Sequence, residues 1–401
     1  MARDVDLILY GATGFTGGLI AHHLAQRAAD TRWLIAGRRR DALERLAQQL
    51  ADAPDAVSPP VDVAVADVAR PRTLRDLTAR GRALLTTVGP YDRLGLPVAE
   101  ACVASGTDYL DITGEPAYVR TLIRRFDADA RARDLRLVPC CGFDSVPHDL
   151  GVWLAVEALG GSQDAPLRAR GYVQGKGGLS GGTLGSAFEA IAGPRALMRS
   201  MRGLPLPRRA DRRQRLESPR LARDRNARAD GGAWVVPLPT IDPQIVLRSA
   251  ALLPSYGPDF TYGHYAAARG LPRLMIGSAA VAMAIAAAQL PPTRALLRRQ
   301  LPQPGSGPDA DRRARGRFRG RYAVETRTHT VRRAIAEVAG GDPGYGETAR
   351  MAAESALCLV ADRDQLPSGG GVLTPAAAMG ARLAERLRAI GMTLEIVDGP
   401  S

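Results

Sequence analysis

Lysine is almost missing from this sequence of 401 residues: Lys176 is the only one, so arginine supplies nearly all of the positive charge. The 54 basic residues outnumber the 41 acidic residues and give a formal net charge of +13. Such an excess is typical of proteins that bind nucleic acid, but no helix-turn-helix, zinc-finger or aromatic RNA-binding motif accompanies it. Arginine in company with abundant alanine, glycine and proline indicates a GC-rich coding sequence. We therefore predict no nucleic-acid partner.

Cysteine is also scarce, and its spacing excludes two classes of site. Cys102, Cys140, Cys141 and Cys358 form no CxxC pair, which argues against both a zinc site and a disulfide framework. No group of histidine, cysteine and carboxylate residues has the spacing of metal ligands, so no metal site is predicted. The first residues lead directly into an apolar strand without a signal-peptide pattern. We expect a reduced, cytoplasmic protein.

Long hydrophobic runs are missing, with one partial exception. Residues 274–290 carry no charge, yet the run falls short of the 18 or so apolar residues of a spanning helix and is rich in weakly hydrophobic alanine. A buried helix is the favoured interpretation. A peripheral membrane contact, or the wall of a channel for an apolar substrate, is the alternative.

The most informative feature that is present lies at the start of the chain. Residues 6–10 form a short apolar strand, and a glycine-rich turn and an apolar helical pattern follow at once. Glycines let such a turn approach a pyrophosphate closely, and the helix N-terminus offers free N–H donors. The candidate cofactor-binding residues of this turn are Gly11, Thr13, Gly14, Phe15, Thr16 and Gly17.

The end of the second predicted strand indicates which dinucleotide binds. An acidic residue about 20 positions after the glycine turn would hold the ribose 2′-hydroxyl of NAD. The sequence has Arg38 and Arg39 there instead. A guanidinium group matches phosphate geometry and suits the 2′-phosphate of NADP. We therefore predict NADPH as the cofactor, although these arginines could also be a solvated helix approach.

The pattern of strands and helices predicts the fold class. Six short apolar strands alternate with helices up to about residue 142, which is typical of a doubly wound parallel Rossmann sheet. Residues 143–370 predict a second, α+β domain with a mixed sheet, including an arginine-rich, mobile loop at about 195–230. Residues 371–401 predict a helix and a strand that return to the Rossmann domain, with Thr374 as the N-cap of the helix.

Several motifs in a fixed order resemble the saccharopine dehydrogenase-like oxidoreductases, and later ones are similar to their trans-acting enoyl reductase branch. The N-terminal motifs are Gly11–Gly17, Ala36–Arg38, Gly89–Tyr91, Asp111–Glu115 and Gly142–Pro147. The later ones are Gly178–Thr183, Gly344–Ala349 and Leu373–Ala376. The resemblance covers nearly the whole chain.

This resemblance implies where the cofactor and substrate lie. NADPH would lie over the first glycine turn with Arg38 near its 2′-phosphate, and Val88, Gly89 and Pro90 would border the nicotinamide ribose. The second domain would cover the cofactor, and the C-terminal helix would pack back on the first domain. Enoyl reductases of this branch work beside polyketide synthases, which implies an α,β-unsaturated polyketide or fatty acyl thioester as substrate.

Three residues are candidates for the catalytic step, because enoyl reduction needs a proton for Cα and stabilisation of the enolate oxygen. Tyr91 follows the fourth strand at the sheet's carboxyl edge, although it could simply pack on the ribose. Asp144 and His148 flank the start of the next helix, where an N-cap and a structural histidine are the alternatives.

Three functions stay open at this point. The first is an NADPH-dependent enoyl reductase to which the basic stretch steers an acidic acyl carrier. The second is a related reductase of a lipid or an imine. The third is an NADP-binding regulatory or lipid-associated protein without turnover. A homodimer is compatible with each of them.

Overall fold

Two sheets, with helices between and around them, make up this computed structural model. It describes residues 3–161, 164–176, 188, 192–200, 202–207, 211–238, 240–300 and 307–399. The strands are β1 Val5–Tyr10, β2 Trp33–Gly37, β3 Asp62–Val65, β4 Gly81–Thr86, β5 Asp108–Asp111, β6 Arg136–Val138, β7 Leu167–Lys176, β8 Arg213–Leu216, β9 Ala222–Asp224, β10 Ala233–Pro237, β11 Asp259–Ala268, β12 Arg317–Thr326, β13 Arg333–Gly340, β14 Gly371–Val372 and β15 Thr393–Asp398. The helices are α1 Phe15–Arg27, α2 Arg40–Ala51, α3 Pro71–Thr78, α4 Tyr91–Ser105, α5 Pro116–Ala132, α6 Val146–Ala158, α7 Pro194–Ser200, α8 Asp242–Leu252, α9 Leu271–Gln289, α10 Pro291–Gln300, α11 Ala310–Ala314, α12 Gly346–Ala361 and α13 Pro375–Ala389.

The first sheet has the strand order β14-β6-β5-β4-β1-β2-β3, and every pairing in it is parallel. Leaving β14 aside, this is the doubly wound order in which β1 and β4 are neighbours. The chain changes direction across the sheet between these two strands, so a crevice opens beyond their carboxyl ends. The predicted Rossmann-type sheet is confirmed.

Alternating side chains of β1 explain why helices cover both faces of this sheet. Leu7 and Leu9 point to the face that α1 and α2 cover, where they join Ile20 and Leu24 in one buried cluster. Ile8 belongs to a second cluster on the opposite face, against α3, α4 and α5. A strand that is apolar at nearly every position, as β1 is apart from Asp6, is expected when both faces of a parallel sheet are buried.

The second sheet is mixed. Its order is β15-β13-β12-β7-β11-β10-β9, with β8 beside β11. β7 runs antiparallel to β12 and parallel to β11, and β8 is also parallel to β11. Helix α6 packs on the inner face over β12 and β13. The predicted α/β architecture with a second, mixed sheet is confirmed.

One apolar core runs through both halves of the molecule. Helix α12 lies against α1 and against β1, β4 and β5 of the first sheet, although it follows the second sheet in sequence. Helix α13 packs on α12 and α6, and β14 pairs with β6. Segments from the last quarter of the chain therefore complete the first sheet. The predicted domains, which are contiguous and divide at residues 142 and 370, do not describe this arrangement.

The C-terminal segment agrees with its sequence pattern in one respect and departs from it in another. Thr374 is the N-cap of α13, and its hydroxyl accepts a hydrogen bond from the amide of Ala377 at 3.2 Å. The terminal strand β15 pairs with β13 of the second sheet, with Leu394 opposite Val338. The expectation that this strand returns to the Rossmann domain is wrong, because β13 offers it an open antiparallel edge.

The arginine-rich stretch at 195–230 contains a helix and two strands among its described residues, so the expectation of a mobile loop is wrong for them. β8 pairs with β11, and β9 pairs with β10. Charged side chains of this stretch pair with arginines on the outer face of the second sheet. Arg170 contacts Glu217 at 2.7 Å and Asp224 at 2.9 Å. The charged residues that suggested a solvated loop in the sequence thus form ion pairs on the surface of a sheet.

Candidate functional site

The glycine turn between β1 and α1 is compressed in a way that only glycine permits. Gly11 has φ of +92°, and a Cβ there would lie 2.7 Å from the Thr87 hydroxyl. A Cβ on Gly17 would lie 2.2 Å from the carbonyl oxygen of Gly11. These contacts hold helix α1 tightly against β1, with Thr13 and Thr16 half-buried along the turn.

The amides at the start of α1 are the donors that this turn offers. The first helical hydrogen bond runs from the amide of Gly18 to the carbonyl of Gly14 at 2.8 Å. The amides of Phe15, Thr16 and Gly17 precede it and have no helical acceptor. They lie at the positive end of the helix dipole, so this turn suits a pyrophosphate.

The end of β2 presents the two arginines that the sequence singled out. Arg38 and Arg39 are exposed, and within the described part of the chain neither forms a hydrogen bond or an ion pair. Arg40, by contrast, pairs with Glu44 at 3.4 Å. The pKa of the Tyr10 phenol beside Arg38 is raised to about 12, chiefly by burial. Two uncommitted guanidinium groups at this position fit a 2′-phosphate.

The end of β4 joins the same site. The Thr87 hydroxyl donates to the carbonyl of Gly11 at 3.1 Å, and the Val88 side chain lies against Gly11. Gly89 and Pro90 follow as exposed residues, and Pro90 is the N-cap of α4. The structure therefore brings Val88 to the glycine turn and places Gly89 and Pro90 beside it, in the region predicted to border the ribose.

Residues of the second half cover the turn from above. The ring of Phe15 meets the ring of Tyr345 edge-on, with centroids 4.8 Å apart. The Arg313 guanidinium lies over the same Phe15 ring at 5.4 Å. The amide of Phe143 donates to the hydroxyl of Thr348 at 3.2 Å. Residues on α11 and around the start of α12 thus cover the glycine turn at the carboxyl edge of the first sheet.

Tyr91 lies in the core, away from the open side of this crevice. Its hydroxyl donates to the carbonyl of Thr86 at 3.1 Å, and its ring packs beside Tyr118. Burial, followed by the charge of Asp111, raises the pKa of the phenol well above its ordinary value. A proton-donor role for Tyr91 stays a prediction, and this geometry argues against it.

Asp144 occupies the carboxyl edge of the first sheet. It follows β6, it is half-buried, and its Oδ2 is so close to Gly114 that a Cβ there would lie 2.7 Å away. The N-cap of α6 is Ser145, so the alternative of Asp144 as the N-cap is wrong. Burial raises the pKa of the Asp144 carboxyl to about 6. A carboxyl group that is partly protonated near neutral pH can serve as a proton donor.

His148 belongs to a buried cluster whose other members sequence reasoning missed. Its Nε2 lies 3.6 Å from Oδ1 of Asp242, and Nε2 of His264 lies 3.5 Å from Oδ2 of the same carboxylate. Nδ1 of His148 is 2.7 Å from the hydroxyl of Tyr322, and Nδ1 of His264 is 2.9 Å from that of Tyr262. Spacing along the chain could not reveal this group, because its members lie on α6, α8, β11 and β12.

Burial dominates the electrostatics of this cluster. It lowers the pKa of His148 well below its ordinary value, with a further contribution from His264, and it lowers the pKa of His264 to about 3. Burial, followed by the charge of Asp144, raises the pKa of Asp242 well above its ordinary value. Oδ1 of Asp242 is buried and has no hydrogen-bond partner.

Helix α9 is mostly exposed, so the expectation of a buried helix over residues 274–290 is wrong. The exposed fractions of Ile276 and Met283 are 71% and 69%, and Met275 and Val281 are about half exposed. None of the described helices has the length and apolar character needed to cross a membrane.

The glycine-rich motif at residues 178–183 lies outside the described residues.

Comparison with known proteins decides the family. Residues 7–136 match the model of the saccharopine dehydrogenase NADP-binding domain. A protein of Mycobacterium tuberculosis named as a trans-acting enoyl reductase is 38% identical over 428 residues, covering 98% of this chain and 97% of its own. This chain belongs to the trans-acting enoyl reductase family. Another trans-acting enoyl reductase, from Mycobacterium ulcerans, is 36% identical, with 98% of this chain and 97% of that protein covered.

A solved structure extends the likeness of this trans-acting enoyl reductase family member to the whole fold. Apo saccharopine dehydrogenase (L-Glu forming) from Saccharomyces cerevisiae superposes with a TM-score of 0.54, covering 98% of this chain and 100% of that one. The identity is 11%, so this similarity concerns the fold alone. The NADP-binding domain model and the two free arginines after β2 together identify NADP(H) as the cofactor.

Proposed function

We propose that this protein is an NADPH-dependent enoyl reductase that acts in trans on α,β-unsaturated acyl thioesters. The observation that carries the proposal is full-length similarity to proteins of that name, combined with a glycine turn and free arginines that suit NADPH. The coverage of 98% extends this similarity beyond the nucleotide-binding part, which many unrelated dehydrogenases share.

The proposed chemistry assigns distinct tasks to the residues at the carboxyl edge of the first sheet. NADPH, when bound, would supply a hydride to Cβ of the enoyl thioester, and Cα would take a proton. The amides of residues 15–17 would hold the pyrophosphate, and Arg38 and Arg39 would hold the 2′-phosphate. Asp144 donates the proton to Cα, because it is half-buried at this edge and its carboxyl pKa of about 6 keeps part of it protonated near neutral pH.

Turnover with defined substrates tests this proposal. The absorbance of the reduced nicotinamide is followed with 2-enoyl thioesters of increasing chain length, free and attached to an acyl carrier protein. We expect NADPH oxidation and a saturated thioester that carries deuterium at Cβ when the hydride position of NADPH is deuterated. Tight NADPH binding without oxidation across the panel would instead favour an NADP-binding regulatory or lipid-associated protein. Oxidation with imines or lipids alone would favour a different reductase.

Exposed arginines on α7, β8 and β9 are proposed to attract an acidic acyl carrier. Arg199, Arg213 and Arg223 are exposed and form no ion pair within the described residues, whereas Arg215 pairs with Asp259. Neutralising the three exposed residues should raise KM for the carrier-bound substrate and leave KM for a small free thioester unchanged. An equal effect on both substrates would refute attraction by these arginines.

Helix α9 is proposed as a peripheral membrane contact. The exposed apolar side chains of residues 274–290 form a surface without charge, and an apolar helix surface of this kind can contact the lipid interface. We expect sedimentation with anionic lipid vesicles, reduced at least several-fold in Ile276→Asp/Met283→Asp. The alternative is that this helix forms a homodimer interface, which light scattering without lipid tests. A dimer mass in the wild type that is lost in the same double variant would assign the helix to that interface.

A further inference from the structure

Three elements from distant parts of the chain meet at the buried histidine cluster. His148 lies in the first turn of α6, Asp242 begins α8, and His264 points inward from β11. All three side chains are buried, and their potential ligand atoms lie within 4.8 Å of one another. The cluster sits between the carboxyl edge of the first sheet and the inner face of the second.

The distances within this cluster are unusual for hydrogen bonds between histidine and aspartate. The two Nε2···carboxylate separations are 3.6 Å and 3.5 Å, whereas a charge-assisted hydrogen bond brings such atoms to about 2.7–2.9 Å. Around a tetrahedral ion with bonds of about 2.0–2.1 Å, neighbouring ligand atoms are about 3.3–3.4 Å apart. The two observed separations, which join the histidines to different oxygens of Asp242, are closer to those of ligand pairs than to those of hydrogen bonds.

The outer nitrogen of each imidazole is held by a tyrosine. If Nδ1 donates to the hydroxyl oxygen of Tyr322 or Tyr262, each Nε2 carries a lone pair that faces the Asp242 carboxylate. Two lone pairs and a carboxylate directed at one another repel unless a proton or a cation lies between them. A hydrogen-bonded group on the far nitrogen is also the usual way in which a ligating histidine is oriented.

We propose that His148, Asp242 and His264 bind a single Zn²⁺ ion. Two imidazoles and one carboxylate are a borderline-soft donor set that favours Zn²⁺ over Mg²⁺ or Ca²⁺. Three protein ligands leave a fourth position for water or another donor, as in catalytic zinc sites. The ion gives the otherwise unpartnered Oδ1 of Asp242 a partner in a region where an unpaired charge is costly.

The charged and titratable groups around the site are compatible with a bound cation. Asp144 faces Asp242 from the turn before α6, and Tyr262 and Tyr322 face the two histidines from β11 and β12. Both histidines are buried, and the neutral imidazole is the form that binds a metal.

Metal analysis of the purified full chain tests the proposal directly. After expression with added Zn²⁺ and dialysis, we expect about one zinc per chain, falling to below about one tenth in His264→Ala and in Asp242→Asn. His329→Ala removes an exposed histidine outside the cluster and should retain the zinc. Zn²⁺ added to the chelator-treated protein should raise Tm by several degrees in wild type and His329→Ala only, because the ion joins three separate elements.

Two results would overturn the proposal. One is zinc that is absent from the wild type and causes no Tm shift on titration, which would identify a metal-free hydrogen-bonded network. The other is zinc that remains in both cluster variants. If the variants fail to fold, X-ray absorption of the zinc-loaded wild type replaces them. Two imidazole nitrogens and oxygen donors support the site, whereas sulfur or an all-water shell refutes it.

Discussion

Arg38 offers a sharp test of cofactor selection, because its side chain has no structural task that substitution would disturb. It is exposed and forms no hydrogen bond or ion pair within the described residues. Arg38→Ala should therefore leave Tm unchanged and remove only the contact to the 2′-phosphate. A hydrogen bond to a charged group contributes about 1.5–3 kcal/mol, which corresponds to a loss of about 10- to 140-fold in affinity.

Solvent exposure of Arg38 places the expected loss near the lower end of this range, at about tenfold, since exposed charges are screened. Isothermal titration calorimetry of NADPH and NADH at one ionic strength measures it. NADH lacks the 2′-phosphate, so its affinity should change by less than about twofold. Arg40→Ala is the matched control, because Arg40 lies in the same arginine run but pairs with Glu44.

The double variant Arg38→Ala/Arg39→Ala extends the test. If both guanidinium groups hold one phosphate, the loss in the double variant should differ from the sum of the single losses by more than about 0.5 kcal/mol. An unchanged NADPH affinity in Arg38→Ala, in Arg39→Ala and in the double variant would refute selection by this arginine pair. So would an equal loss for NADH and NADPH, which would indicate a general effect on the site.

Three further substitutions test the site. In Gly17→Ala, the new methyl group would meet the Gly11 carbonyl oxygen at 2.2 Å, so we expect a loss of about 1–3 kcal/mol of stability in urea unfolding and at least tenfold weaker NADPH binding. Tyr91→Phe should keep its turnover and lose about 1 kcal/mol of stability with the hydrogen bond to Thr86; a hundredfold drop in kcat would restore Tyr91 as the donor. Because the native pKa of Asp144 is raised to about 6, its contribution to stability is full below about pH 4 and is lost as the pH rises through 6. Between pH 4 and 7, the free energy of unfolding of Asp144→Asn should therefore rise by about 1–3 kcal/mol relative to that of the wild type. Parallel curves of unfolding free energy against pH for the two proteins would contradict this reasoning.

Local sequence signals were sufficient for the nucleotide-binding turn. The strand, the glycines and the helix of the first βα unit are adjacent in the chain, so their spacing alone predicts their geometry. The arginines after β2 follow from the same unit. The side chain of Thr374 likewise caps a helix through a contact only three residues away. Each of these features depends on neighbours in sequence.

Features that depend on tertiary packing were beyond the sequence. His264 reaches His148 only because β11 pairs with β7 in a register that turns this histidine inward, and no local pattern fixes that register. The uncharged run of α9 predicted burial, yet it is exposed because no element among the described residues packs over most of its surface. The helical pattern of α12 predicted a helix but not which sheet it would cover.

The position of α12 has a consequence for how the protein is made. This helix covers part of the face formed by β1, β4 and β5, yet it is translated more than 200 residues after β6. At a synthesis rate of about 5–20 residues per second, the apolar face waits roughly 10–45 s for its cover. During that interval the emerging chain exposes the apolar surface of an incomplete sheet to chaperones and proteases. A fragment that stops after β6 should therefore aggregate rather than bind the coenzyme.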